Sequence, residues 1–475
     1  MILLLEAAAA DAPDRTAVVT PERAPTYGAL LDDARRIAAS LQRRGITRFA
    51  VAEPDAAWVM GLLAGAALAG AEPCQFQPDT PAAELATQAA ALGHTVVVTR
   101  RQDLHDLVRD GGHDSGQLEA LRPEDLADDA AATAASAAAA QSDSPGETGA
   151  QPLMIRTTGT TGLPKAARHD WRVLTQTVAG IRPAPTQRWL LAYGLHQFAG
   201  IQILLHVVAS QATLVAPFPR QPKDGLEAMI RDGVTCVSAT PTYWRFLLTE
   251  ARSRRAELPP LEQITLGGEA SPADLLDDLR TTFPGARISQ VYASTELGSI
   301  TSVRDGRPGI AVADLFSEEN PTANVRVTDG ELWVRPAAGM LGYAGQPNEA
   351  TAPGEWRPTG DLVEIVDGRV LFRGRTSEVI NVGGVKVHPL PVEERIAALD
   401  SVAAARVFGR PSKLTGFIVA AEIVPAPDAG ADHEQIRTDV NGAVSDLPRA
   451  WQPRHLSFVE AIETKGGKTV RGTAR

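Results

Sequence analysis

Apolar residues recur every three to four positions over residues 27–43, 58–70 and 82–92, the spacing of helices with one buried face. Between them stand short continuous apolar runs, Phe49-Ala50-Val51-Ala52 and Thr95-Val96-Val97-Val98, which read as strands buried on both faces. Helix and strand in alternation predict βαβ units and a parallel sheet. A second α/β unit is expected from residue 189 to about residue 300, with strands at 234–239 and 288–292. Over 311–373 the pattern changes to short strands with Gly and Pro turns, at 324–327, 331–335 and 370–372, which predicts a small barrel-like β subdomain. A hairpin is expected around Asp367-Gly368. Residues 128–150 are an Ala/Ser/Asp/Gly stretch that buries little and reads as a surface linker.

At 475 residues the chain exceeds what one core organises, so a large domain and a smaller one are expected. Its 44% hydrophobic and 22% charged content is that of an ordinary globular enzyme. A net charge of −11 and no sizeable basic run argue against nucleic acid as a partner. Cys74 and Cys236 make no disulfide framework and lie in no zinc-ligand spacing. The opening Met1-Ile2-Leu3-Leu4-Leu5-Glu6 lacks a basic flank, and residues 60–71 are too short and too weakly apolar to span a bilayer. A cytoplasmic protein with no membrane partner is the expectation.

The candidate chemistry begins at Thr157-Thr158-Gly159-Thr160-Thr161-Gly162-Leu163-Pro164-Lys165. Glycines admit backbone N–H groups close to phosphate oxygens, hydroxyls add donors, and the lysine supplies a compact positive charge. Such a loop suits a nucleoside triphosphate. It is not a Walker P-loop, because Leu163 and Pro164 separate the second glycine from the lysine. Gly467-Lys468-Thr469 fails too, since Ile462 stands where that motif needs its first glycine.

Four further motifs follow in order: Tyr292-Ala293-Ser294-Thr295-Glu296; Trp356-Arg357-Pro358-Thr359-Gly360-Asp361; Gly374-Arg375 through Pro389; and Gly466-Gly467-Lys468. Tyr292 offers a flat face for adenine, Thr295 a hydroxyl near phosphates and Glu296 a hard oxygen for Mg²⁺. Asp361, after a Thr-Gly turn, is a short carboxylate suited to two ribose hydroxyls. Together with the loop, the set resembles the AMP-binding signature of the adenylate-forming superfamily: acyl-CoA synthetases, aryl-acid ligases, luciferases and peptide-synthetase adenylation domains. The resemblance spans nearly the whole chain.

The resemblance implies an α/β fold in which a large N-terminal domain, 1–374, holds two α/β subdomains and the small β-barrel-like one. A small mobile α+β C-terminal lid, 375–475, follows, turning between two poses at Arg375-Thr376-Ser377-Glu378 with Ser377 at the pivot. By the same resemblance, Thr157, Thr158, Gly159, Thr160, Thr161, Gly162, Lys165, Gly268, Glu269, Ala270, Tyr292, Thr295, Asp361 and Arg375 bind ATP, and Glu296 holds Mg²⁺. Lys468 is the mobile lysine that reaches the reacting carboxylate and α-phosphate, although Ile462 and Glu463 replace the family's common proline and basic residue. His196, Phe198, Gly268, Ala293 and Ser294 line the acyl pocket, Ala293 replacing the usual glycine. Asn381 faces the site in the transfer pose, where many members carry lysine, and it and His196 stand with Lys468 as the catalytic candidates.

The implied reaction joins a small aryl or short-chain acid to AMP, then passes it to CoA, a carrier-protein thiol or an amine. Three alternatives stay open at this point: a nitrite-activating enzyme that diazotises an aromatic amine, a luciferase-like oxygenase, and a degenerate homologue that binds nucleotide as a scaffold or sensor.

Overall fold

The structure is a computed structural model that describes residues 1–111, 118–128, 151–157, 165–316, 325–335, 339–345, 354–426, 432–465, 468–469 and 471. The expected linker at 128–150 lies, apart from Asp128, outside the described residues. The chain forms two compact units. One holds residues 1–237, 294–298 and 338–352; the other holds 238–293, 299–337 and 353–475.

In the first unit, strand Arg48–Val51 pairs in parallel with Glu72–Gln75 on one side and Val96–Val98 on the other. Glu119–Leu121 extends the parallel run beyond Val96–Val98, and Pro152–Arg156 extends it beyond Glu72–Gln75. The sheet is not parallel throughout, because Pro152–Arg156, Ala166–Asp170 and Gly342–Tyr343 pair antiparallel at one edge. Helix Tyr27–Arg44 starts where the Thr26 hydroxyl accepts from Ala29 N and stops at Gly45, whose φ of 66° ends the α conformation. Helix Ala56–Ala69 begins two residues before its apolar period, because the Asp55 carboxylate accepts from Ala57 N and Trp58 N. These two helices cross closely: a Cβ on Gly65 would sit 2.7 Å from Ile37 Cγ2 and 2.9 Å from Ala34 O. A second parallel set, Val18–Val19, Thr213–Val215 and Arg188–Leu191, belongs to the same unit.

In the second unit, Gln263–Gly267 and Arg287–Ser294 pair in parallel. A five-stranded antiparallel sheet runs Ile310–Ala311, Arg369–Arg375, Arg357–Val366, Glu331–Val334, Val325–Thr328. Its central hairpin turns at Asp367 and Gly368, both at positive φ, as the sequence predicts. The Thr359-Gly360 step is no chain reversal. Gly360, at φ 76°, lies within strand Arg357–Val366, and a neighbouring carboxylate, Glu331, accepts its N–H at 2.9 Å.

Residues from Ile380 onward build their own core. Val387, Val392, Ile396, Val407, Val419, Ala421, Ile423, Ile436 and Val440 fill the space between helices Pro389–Ala397 and His433–Ala443 and the sheet of Ile380–Val382, Val385–Val387, Val402–Ser412, Gly416–Pro425 and His455–Phe458. Among the described residues no helix is long and apolar enough to cross a membrane.

Candidate active site

The phosphate loop joins two antiparallel strands, Pro152–Arg156 and Ala166–Asp170, and its neck is closed by Thr157 N donating to Lys165 O at 2.8 Å. Thr158, Gly159, Thr160, Thr161 and Gly162 lie outside the described residues. Lys165 Nζ sits 4.6 Å above the Tyr343 ring, a cation–π placement. The Tyr343 hydroxyl donates in turn to Glu296 Oε1 at 3.1 Å. The loop lysine and the expected metal carboxylate are thus linked through one tyrosine, which the sequence reading did not single out. Ser294 Oγ accepts from Leu297 N at 3.1 Å, a local turn that shapes the segment carrying Thr295 and Glu296. Among the described residues no cluster of three or more His, Cys, Asp or Glu side chains could hold a metal ion. A Mg²⁺ arriving with nucleotide phosphates needs only one or two carboxylates, which Glu296 fits.

In the same unit, the turn before helix Phe198–Ala209 is built tightly around His196. Gln197 N donates to Gly194 O at 3.0 Å and Gly194 N donates to Gln197 Oε1 at 3.0 Å. A Cβ on Gly200 would meet Gly194 O at 2.2 Å, and one on Gly194 would strike the His196 ring at 2.2 Å. His196 Nδ1 is sealed from solvent with no hydrogen-bond partner. Burial, with Arg220 and Arg156 adding to it, pulls the imidazole pKa down to about 3, so the ring is neutral. A neutral, recessed imidazole does not exchange protons near neutral pH. Phe198 is buried, and its ring lies 5.8 Å from that of His169.

In the second unit, the Tyr292 hydroxyl donates to Asp361 Oδ2 at 2.6 Å, and Arg375 Nε lies 3.0 Å from Asp361 Oδ1. Asp361 therefore spends one bond from each oxygen on protein partners and retains one further lone pair on each. Burial chiefly, and the Asp361 charge next, raise the Tyr292 pKa, so the phenol stays a donor. Its ring tilts against Phe372 with centroids 5.0 Å apart. Ala293 precedes Ser294 on the strand that carries Tyr292.

The loop Gly267-Gly268-Glu269-Ala270 meets Lys468. A Cβ on Gly268, whose φ is 85°, would lie 2.8 Å from Lys468 Cε and 3.4 Å from Nζ. Glu269 holds both sides of this contact: Oε1 accepts from Thr469 N and Oε2 from Thr242 N, each at 3.1 Å. Lys468 itself stands on the short hairpin Thr464–Lys465 and Lys468–Thr469. That clamp was invisible in the sequence, where Glu269 is a lone acid in a glycine loop.

Asn381 is exposed on strand Ile380–Val382, and its Oδ1 accepts from Gly384 N at 2.9 Å, so its side chain braces the Gly383-Gly384 turn. Ser377 is exposed in the single turn Thr376–Glu378, which Arg375 separates from Gly374 at φ 105°.

Comparison with known proteins accords with this layout. The AMP-binding enzyme family model matches residues 5–344, and the model of the AMP-binding enzyme C-terminal domain matches residues 391–468. The isonitrile lipopeptide synthase of Streptomyces coeruleorubidus is 28% identical over 94% of this chain, which spans 31% of that protein. The 4-chlorobenzoate–CoA ligase of a Pseudomonas strain is 29% identical over 65% of this chain and 62% of its own length. The chain thus spans less than two thirds of these relatives. In fold, it is similar to an anthranilate CoA ligase solved with anthranoyl-AMP, at TM-score 0.83 and 19% identity over 99% of this chain and 95% of that one. It is also similar to the o-succinylbenzoate CoA synthetase of Bacillus subtilis, at TM-score 0.75 and 21% identity over 99% and 97%. With one family model covering most of the chain and the second following it in order, the protein belongs to the AMP-binding enzyme family, the adenylate-forming superfamily.

Proposed function

We propose that the chain is an AMP-forming ligase that adenylates a small acid, aryl or short-chain, and hands it to a thiol, CoA being the thiol named for several relatives. The observation that carries this reading is Lys468 packed on Gly268, with Glu269 gripping the next residue. An ammonium presented at that loop suits the charge that develops when a carboxylate oxygen attacks an α-phosphorus and the bond to pyrophosphate breaks. The protein's work in that step is alignment and charge stabilisation, since no covalent enzyme intermediate is required.

Other residues take supporting roles in this reading. Lys165 and the loop it closes hold the outer phosphates, Glu296 holds Mg²⁺, and Asp361 with Arg375 holds the ribose. Tyr292 lies beside adenine. His196 and Phe198, with Ala293 and Ser294, bound a modest acyl pocket, for which an aryl or short acid is the better fit. Residues 375–475, with a core of their own, form the lid, and the exposed Thr376–Glu378 turn next to Gly374 is its pivot.

The test is ATP- and Mg²⁺-dependent pyrophosphate release over aryl, short-chain and fatty acids and nitrite, each with and without CoA, a carrier thiol or an aromatic amine. Release with a small carboxylate, enhanced by CoA and lowered about 10²–10³-fold by Lys468→Ala, is the expected result. Release with nitrite alone, or no release with any acid, overturns the proposal.

A further inference from the structure

Three residues beyond Lys468, the chain drives an arginine into the C-terminal region. Arg471 Nε lies 3.0 Å from both carboxylate oxygens of Glu393, and its Nη2 lies 2.5 Å from Oε1. The two side chains are only 13% and 8% exposed. Glu393 belongs to helix Pro389–Ala397, and its Oε2 also accepts from Val407 N at 3.0 Å, which fixes the carboxylate to strand Val402–Ser412. Burial by itself would lower the guanidinium pKa; Glu393, Glu269 and Glu378 outweigh it and raise it, so the charge is permanent.

Thr469 and Arg471, the described residues of this tail beyond Lys468, are each held by a carboxylate. Thr469 N is bound by Glu269, and the Thr469 hydroxyl lies 3.3 Å from that of Thr242. Arg471 is bound by Glu393. Lys468, on a flexible four-carbon stem, adjoins the first of these two anchored residues and stands three positions before the second. A buried ion pair adds little net stability, because desolvation offsets most of the attraction; what it does provide is a fixed two-pronged geometry. Geometry is what a catalytic cation needs, since misplacement by about 1 Å can cost about 10²-fold in rate.

We propose that Arg471 is the positioning residue for Lys468: its pairing with Glu393 ties the lysine-bearing tail to the C-terminal region and so decides where the ammonium arrives. This rests on the reading of Lys468 as the adenylation cation.

The experiment is a double-mutant cycle in pyrophosphate release, using the best acid from the panel above, with wild type, Lys468→Ala, Arg471→Met and the double variant. Arg471→Met should lower kcat about 10–10²-fold with KM for ATP little changed, and Arg471→Lys should recover part of that loss. In the Lys468→Ala background, Arg471→Met should cost nothing more, because a residue acting through the lysine has nothing left to position. Two results overturn the proposal while leaving the adenylation reading intact: Lys468→Ala loses activity but Arg471→Met keeps wild-type kcat, or the two losses multiply. If Lys468→Ala itself retains full activity, the adenylation reading falls and this proposal with it. Should Arg471→Met lower the melting temperature enough to unfold the region, the cycle is run with Arg471→Lys.

Discussion

Tyr292, Asp361 and Arg375 show what single residues contribute and what their identity leaves open. Each was legible from its motif as a nucleotide-binding candidate, yet nothing in the motifs says that the tyrosine and arginine share the carboxylate between them. Tyr292→Phe removes the hydroxyl that donates to Asp361 at 2.6 Å while keeping the ring beside Phe372. Hydrogen bonds to charged groups contribute about 1.5–3 kcal/mol, so urea unfolding should report a loss of that order. Glycine matters at this scale only where a side chain has no room. At Gly268 a Cβ would both meet Lys468 and strain a φ of 85°. Gly268→Ala should therefore lower pyrophosphate release at least as far as Arg471→Met does, and an unchanged rate would show that Lys468 does not work from this contact.

At the scale of elements, the helices expected over residues 27–43, 58–70 and 82–92 formed, and the departures from expectation have identifiable causes. The apolar period places the start of the second helix at residue 58, but Asp55 caps it at Ala56 and so adds two residues outside the period. The Thr359-Gly360 step has the composition of a turn. It became a kink inside a strand because Glu331–Val334 on one side and Arg369–Arg375 on the other pair with that strand. Sheet pairing overrides local turn preference here. The close crossing of helices Tyr27–Arg44 and Ala56–Ala69 depends on Gly65. Gly65→Ala pushes a methyl into Ile37 and the Ala34 carbonyl, and overpacking of this kind costs about 1–3 kcal/mol. Thermal unfolding should show the loss, and no shift in Tm would mean that the helices separate freely.

For the whole molecule, stability against acid follows from histidines folded away in neutral form. Burial lowers the pKa of His94 and of His169 to about 4, and that of His196 to about 3. In the unfolded chain each returns to about 6.5. Between these values the unfolded state binds protons that the folded state does not, so stability must fall as pH falls. The contribution is complete above pH 6.5 and is lost progressively toward pH 4, at up to about 1.4 kcal/mol per pH unit for each histidine. Unfolding free energy measured from pH 7.5 to 4.5 should decline accordingly, and His169→Gln should flatten the slope whatever it does to the value at pH 7.5. An unaltered slope would mean that His169 is protonated in the folded protein.

By itself, the sequence determined the succession of helices and strands, the family, and the kinds of side chain offered to a nucleotide. Those properties reside in residue type and in spacing over a few positions, which physical chemistry reads locally. Only the tertiary structure decided which of those side chains meet. Tyr292 reaches Asp361 across 69 residues, Arg471 reaches Glu393 across 78, and Thr469 reaches Glu269 across 200. No local pattern encodes such pairs, because bringing distant segments together is driven by burial of apolar surface elsewhere in the chain. The same distance explains why the neutral state of the His196 ring was not legible in the sequence: its protonation is set by the depth at which the fold places it, and depth is not a property of sequence position.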